Sequence, residues 1–196
     1  MPLNDTSSLL SHLRSRRSGR PREMTGPGPS DEQLADILEL AARTPDHGKL
    51  VPYRFIIIAD DQRDALASLY EKALLAGDPA AHEAKIAKSL ANAHAAPTLV
   101  MLIFSPMLGH KIPVFEQEMT CGAVGMNLLH AAHAHGFVGG WITGWPASDP
   151  IIVDAFCQSG EAIAGLFYLG TSGGEMIERD RPDMAEIVSR WTPPGE

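Results

Sequence analysis

With 196 residues, 44% of them apolar and 20% charged, the chain has the composition of one folded core rather than of a disordered or fibrous segment. A formal charge of −8 argues against a broad nucleic-acid surface, and two cysteines are too few for a disulfide scaffold. The longest apolar run, TLVMLIFS at 98–105, is far short of a bilayer span, and no basic-then-apolar leader opens the chain, so neither a transmembrane helix nor a secretory signal is expected.

The stretch SSLLSHLRSRRS (7–18) carries Leu9, Leu10 and Leu13 at helical spacing. It predicts a short amphipathic helix anchored to the body, with arginines riding on its end. GRPREMTGPGPS (19–30) then breaks regular structure with Gly and Pro. Ser30 reads as an N-cap with Gln33 in the capping-box position, opening a helix that buries Leu34, Ile37, Leu38, Ala41 and Ala42. That helix stops at RTPDHGK, where Pro45 and Gly48 force a loop.

YRFIIIA (53–59) predicts a central strand. Two helical patterns follow at 61–76 and 79–93, and TLVMLIFS reads as a second, buried strand. A long helix is expected over 115–135, apolar on all sides and rich in small residues such as Gly122, Ala123 and Gly125. Such a helix lies in a core or at a subunit interface, and a homodimer is the expectation drawn from it. FVGGWI (137–142) predicts a short strand, SDPIIVDAF (148–156) a helix begun by Ser148 or Asp149, and AIAGLFYLGT (162–171) the last strand. Long helices interleaved with few strands predict an α+β domain over residues 1–196, with a helix-wrapped sheet. Cys121 and Cys157 fall on apolar helix faces, where each reads as a small buried hydrophobe of a reducing cytoplasm.

RSRRSGRPR (14–22) holds five of the eleven arginines in this acidic chain. Arg16, Arg17, Ser18 and Arg20 offer four donor side chains within five residues, the set a phosphate monoester takes through guanidinium forks and a hydroxyl. Gly19 lets the backbone approach an anion closely. A mobile solvated basic end and a nucleic-acid arm are the competing readings, the second disfavoured by the acidic remainder. No GxGxxG follows a strand, CxxC and HExxH are missing from the sequence, and the GxSxG string GTSGG at 170–174 runs into the charged stretch EMIERDRPD instead of the helix that a nucleophile elbow needs. Neither a dedicated Rossmann site, nor a serine hydrolase, nor a zinc site is therefore expected. Glu116 and Glu118, at i and i+2 on a helix, point apart and predict capping or pairing with basic residues, not a shared acid–base role.

Together, RRSGR (16–20), AARTPDHGKLVPYRFIII (41–58), EQEMTCGAVGMNLLHAAHAHGFVGGWITG (116–144) and GLFYLGT (165–171) resemble the nitroreductase family, especially its short NAD(P)H-dependent members. The resemblance runs in order over about residues 8 to 190. It implies a nitroreductase-like fold, mainly antiparallel with four to five strands, and a cytoplasmic homodimer holding FMN where two subunits meet. NADH or NADPH would be the transient reductant, and a nitroaromatic, quinone or related small molecule the acceptor.

By the same resemblance Arg16 and Ser18 would grip the FMN phosphate and Arg17 the ribityl chain or pyrimidine edge. Arg20 would lie near the flavin N1–C2=O edge, where reduction leaves negative charge. Arg43 and His47 match a second flavin loop; His47 by itself reads equally as a loop histidine capping a carbonyl. In GGWITG (139–144) the backbone N–H groups of Thr143 and Gly144 would face flavin N5 and O4. Trp141 would stack or line the pocket, or else be a core aromatic at a strand end. The chain departs from the family at Val51, which precedes Pro52 and Tyr53 where relatives have Gln-Pro-Trp, and at Ile142, where close relatives carry arginine. Arg179 or, by spacing, Arg181 would complete the phosphate site. The histidines of 130–136 are candidate contacts of the reductant. A carrier or sensor that holds a flavin or phospho-ligand without turnover is the alternative function.

Overall fold

The computed structural model describes residues 2–194. Its centre is the run that hydropathy marks most strongly. β3 (Thr98–Phe104) is hydrogen-bonded antiparallel to β2 (Tyr53–Ile58) on one side and to β5 (Ala162–Ser172) on the other. β4 (Val138–Ile142) pairs antiparallel with β5 over Gly170 to Leu166, and β1 (Met24–Thr25) extends the sheet by pairing with Thr171 and Ser172. All five strands are antiparallel to their neighbours.

Both faces of this sheet are covered, which is why β3 reads as an unbroken apolar run instead of an alternation. Successive side chains of a strand point to opposite faces. Leu99, Met101 and Ile103 therefore enter a core with Leu66, Tyr70 and Ala73 of α3 (Arg63–Gly77), Ala93 of α4 (Glu83–Ala93) and Ile152 of α6 (Pro150–Phe156). Val100 and Leu102 enter a second core with Leu34 and Ile37 of α2 (Asp31–Ala41) and Val124 and Leu128 of α5 (Val114–Ala134).

Local signals place the helix ends. Ser30 and Gln33 form the reciprocal capping box, with the Gln33 N–H donating to Ser30 Oγ at 3.2 Å and the Ser30 N–H to Gln33 Oε1 at 3.0 Å. Asp149, rather than Ser148, caps α6, its Oδ1 accepting from the N–H groups of Ile151 and Ile152. Three expectations are corrected. β2 is an edge strand, not a central one, and Ile57 on it is 49% exposed. β1 lies inside the Gly/Pro-rich segment expected to lack regular structure. α1 is confined to Leu9–Ser15, and its leucines face outward, for reasons given below.

The exposed edge of β2 is tied to the rest of the sheet by a charged clamp. Arg54 meets Glu161 through two bonds of 2.9 and 2.6 Å, and donates to the Phe156 carbonyl at 2.6 Å. The paired guanidinium holds the Glu161 carboxyl down at about 2, and its side chain is only 6% exposed. Depression of a carboxyl in the folded state contributes stability above its unfolded value near 4.5 and loses it as pH falls toward 2. Glu161→Gln is expected to lower unfolding free energy at pH 7 by roughly 2–3 kcal/mol. The difference from the unaltered protein should shrink steadily in urea titrations repeated down to pH 3.

Candidate functional site

α1 is short, and its buried face is polar. Ser8 Oγ caps it by accepting the Ser11 N–H at 3.0 Å. His12 and Ser15 are buried, whereas Leu9, Leu10 and Leu13 are 75%, 55% and 56% exposed. Helical spacing correctly groups these leucines on one stripe, but the body of the protein meets the opposite side. There His12 Nε2 and His130 Nδ1 on α5 share a hydrogen bond of 2.8 Å, and the His12 ring stands edge-on to His133 at 5.2 Å. Histidines of 130–136 are thus engaged within the fold, His135 by Asp36 of α2 at 2.7 Å.

The arginine turn follows directly. Arg16 donates its N–H to the His12 carbonyl at 2.8 Å, and the Arg17 N–H donates to Asn4 Oδ1 at 2.7 Å. Gly19 donates to the Gly139 carbonyl at 3.0 Å, docking the turn on β4. Both backbones approach so closely that a Cβ on Gly140 would lie 2.8 Å from the Gly19 oxygen, and one on Gly19 would lie 2.9 Å from Met24. At Gly140 the neighbour is backbone, so a side chain there would displace the turn, whereas at Gly19 it is the Met24 and Val138 side chains that would have to yield.

Side chains in the turn separate into two groups. Arg16 is partly buried, reaches Ser18 Oγ at 3.4 Å, and forms no ion pair among the described residues. Burial first, and then the like charges of Arg181 and Arg17, pull its pKa below the usual guanidinium value. Arg181 donates to the Arg16 carbonyl at 3.4 Å and to Glu178 at 2.7 Å. Arg17 donates through Nε to the Ile177 carbonyl at 3.0 Å, with Glu178 3.8 Å away. Arg20 and Arg22 turn outward instead, Arg20 to Glu23 at 2.7 Å and Arg22 to the Lys88 carbonyl and Asn92 on α4.

Beside the turn lies a cavity of about 340 Å³, walled by Arg17, Ser18, Arg20, Gly140, Ile142 and the segment between Ser172 and Arg179. A second, of about 370 Å³, meets it at Arg20, Glu23 and Ile142 and contains Thr143 and Gly144. The fold therefore places Arg17, Ser18, Arg20, Ile142, Thr143, Gly144 and Arg179 on the walls of these two adjoining cavities, while Arg16 and Arg181 line neither and join the turn through Ser18 and the Arg16 carbonyl. Trp141 borders this cleft, but its ring is committed elsewhere. Strand alternation sends that ring to the α5 side, where Nε1 donates to the Ala164 carbonyl at 3.0 Å and the ring tilts on Phe167 at 5.1 Å. Trp141 thus lines the cavity while its ring packs toward the second core.

Arg43 and His47 are not brought to the cleft by this chain. Their loop packs along α5, with Asn127 donating to the Arg43 carbonyl, Thr120 to the Pro45 carbonyl, and His47 meeting Glu116 at 2.7 Å. Glu116 thus pairs with a basic side chain, as its position predicts. Fourteen residues of helix separate it from His130, about 21 Å at 1.5 Å per residue. Sequence reasoning missed Asn4, Ile177 and Glu178, whose parts depend on segments remote in the chain that carry no local pattern. Both cysteines are free, and burial raises the Cys121 thiol to about 12. Among the described residues no three His, Cys, Asp or Glu side chains are arranged to hold a metal ion, and no helix is long and apolar enough to cross a membrane.

Comparison with known proteins gives the family and the fold. The model of the nitroreductase family matches residues 13–171. A Haemophilus influenzae protein named "Putative NAD(P)H nitroreductase" is 34% identical over 174 residues, covering 87% of this chain and 91% of the relative. Among solved structures, a nitroreductase-like family protein from Bacillus cereus superposes with a TM-score of 0.79 at 18% identity, covering 94% of this chain and 96% of the other. A mutant of the FMN- and NADPH-dependent nitroreductase NfnB from a Sphigopyxis strain superposes at 0.75 with 17% identity, covering 93% and 98%.

The histidines behind the turn yield a pH prediction. His133 is 2% exposed, neither ring nitrogen has a partner, and burial, then His12, Arg16 and His130, hold it down at about 3. A histidine depressed in the folded state must be neutral there, so stability is complete above its unfolded value near 6.5 and declines as pH falls toward 3. His133→Leu removes a buried, unsatisfied ring and is expected to raise stability at pH 5 by about 1–2 kcal/mol. The gain at pH 8 should be smaller when both are measured by thermal unfolding.

Proposed function

Because the chain belongs to the nitroreductase family, we propose that it is an FMN-dependent NAD(P)H oxidoreductase that reduces nitroaromatic, quinone or related acceptors. The observation that carries the cofactor reading is Arg16. It is a partly buried cation with no carboxylate in ion-pair range among the described residues, beside Arg17, Arg181 and the Ser18 hydroxyl. Placing like charges together raises the energy of each, and a dianionic phosphate relieves it. Gly19 and Gly140 add the close backbone approach that the rim of such a site needs.

FMN, when bound, supplies hydride acceptance and donation at N5. In the arrangement proposed, Arg16 and Ser18 hold the phosphate, and Arg181 closes over it from the C-terminal segment. Arg17 holds the ribityl chain or the pyrimidine edge. Arg20 supplies positive charge near N1 once its exposed pair with Glu23 is exchanged for the ligand. Thr143 and Gly144 present backbone N–H groups to the reacting edge. Ile142 contributes an apolar wall where close relatives carry a cation. Reductant and acceptor take the open face in turn, a ping-pong order in which no side chain of this protein acts as acid or base in the first half.

A second copy of the chain completes the site in this reading. The loop of Arg43 and His47 lies along α5 and lines neither cavity of its own protomer, and a partner's cleft can meet it there. Leu9, Leu10 and Leu13 on α1 and Phe115 and Met119 on α5 form an exposed apolar set that suits such an interface. Sedimentation of the purified protein as a monomer would remove this part.

Flavin absorbance of the purified protein, bleached anaerobically by NADH or NADPH and restored by a nitroaromatic or quinone, is the expected result. FMN that binds but resists reduction by either nicotinamide would leave a carrier or sensor. Arg16→Ala is expected to weaken FMN binding by about 1.5–3 kcal/mol, the range for a charge-assisted hydrogen bond. Titration of apoprotein with FMN, followed by quenching of flavin fluorescence, measures the change, and unaltered affinity would place the phosphate elsewhere.

A further inference from the structure

A third cavity, of about 460 Å³, lies between α3 and α4 and reaches Trp145, a volume suited to a small organic ligand. Its apolar wall includes Ala73 and Leu74 of α3 and the Trp145 ring, which is held edge-on against Tyr70 at 5.9 Å. Its polar wall is one side of α4, with Ser89, Asn92 and exposed Lys88, together with the Lys85–Asp78 pair and Asp149.

The Lys88, Ser89 and Asn92 side chains have donor groups with no protein acceptor among the described residues. Ser89 is 4% exposed, and its Oγ has no hydrogen-bond partner. A helical serine ordinarily returns its hydroxyl to the carbonyl four residues back, and buried hydroxyls are normally satisfied. Asn92 accepts from Arg22 through Oδ1 at 3.0 Å, which leaves its amide N–H groups for the cavity. Lys88 forms no ion pair among the described residues, whereas neighbouring Lys85 is held by Asp78 at 2.7 Å. The remaining acid on the wall, Asp149, accepts the first N–H groups of α6 through Oδ1.

An apolar slot ending in a hydroxyl, an amide and an ammonium fits a ligand with a ring at one end and an anionic acceptor at the other. We infer that this cavity binds a small aromatic carboxylate, with its ring between Leu74 and Trp145 and its carboxylate toward Ser89, Asn92 and Lys88. Trp145 and Asn92 also line the cavity that contains Thr143 and Gly144. The occupant is therefore adjacent to the cleft, either as the electron acceptor itself or as a modulator of it; this placement rests on the reductase reading.

Benzoate, which the flavin cannot reduce, is the probe. Calorimetric titration of the FMN-loaded protein is expected to show saturable benzoate binding and weaker binding of uncharged benzamide. Ser89→Phe fills the cavity and should weaken benzoate at least tenfold, while Ser89→Thr, which keeps the hydroxyl, should retain it. Lys88→Met should weaken it by about tenfold, the loss of one charge-assisted bond, and Lys88→Arg by much less. FMN content should be unchanged in all four variants. Absence of saturable binding, or equal affinity in Ser89→Phe, would overturn the inference, as would equal affinity for benzoate and benzamide. Competitive inhibition of 4-nitrobenzoate reduction by benzoate identifies the acceptor's pocket, and non-competitive inhibition a modulator's; both support the site. Benzoate binding by a protein whose flavin no nicotinamide reduces would sink the reductase reading alone. Normal flavin reduction without benzoate binding would sink the cavity alone.

Discussion

The Gly19 N–H and the Gly139 carbonyl, 3.0 Å apart, bring two backbones into contact at the edge of the sheet. That contact decides where the charge of this protein is concentrated. It sets the arginine turn across Gly140, at the point where β4 leaves the core and its last residues open into the cleft. A side chain at Gly140 would press on the Gly19 carbonyl and push the turn away from Ile142, Thr143 and Gly144. The histidine packing of α1 on α5 holds the same turn from its other end. Between a helix docked by polar rings and a strand stripped of side chains, the turn has little freedom.

Electrostatics at the cleft is uneven in a way that bears on ligand exchange. Glu178 touches two members of the cluster, Arg181 at 2.7 Å and Arg17 at 3.8 Å, yet its side chain is about half exposed. Exposed pairs of this kind contribute from about zero to 1 kcal/mol, so Glu178 orders the C-terminal segment without committing either cation. Arg16 is different, because burial removes water from a charge that no carboxylate compensates. Arg63 is also buried without an ion pair among the described residues, but carbonyls accept from its terminal nitrogens, whereas Arg16 stands among like charges in a chain whose overall charge is −8. The conflict between local and global preference is the signature expected of a binding site.

How much of this could be read from the sequence depends on whether the controlling interaction is local. The capping box at Ser30 and the Asp149 cap are local, and their residues identify the helix starts. The run at 98–105 predicts burial on both faces, and β3 has it. The same kind of run at 53–59 does not distinguish an edge from a centre, because that depends on which strands pair with it. The leucines of α1 reveal a stripe but not what covers it; His12 on the opposite side made the contact. The direction of the Trp141 ring follows from register with β5, set by residues some 25 positions later. Arg16, Arg17 and Ser18 were legible as one turn because they are adjacent in the chain. Asn4, Ile177 and Glu178 were not, because only the folded chain brings both termini to the turn.

The loop that carries Arg43 and His47 shows the same logic in its backbone. Gly48, Lys49 and Val51 all adopt positive φ, and for a β-branched residue such as Val51, at +49°, this is a strained conformation. Strain of this kind costs on the order of 1–3 kcal/mol and persists only where surrounding bonds over-determine it. Here they do: Asp46 accepts from the Leu50 and Val51 N–H groups at 3.2 and 2.7 Å, and Thr120, Asn127 and Glu116 fix the loop along α5. None of these bonds turns His47 or Arg43 toward a cavity of the same chain. A loop so firmly shaped holds its basic side chains outward, with Phe115 and Met119 of α5 exposed as well.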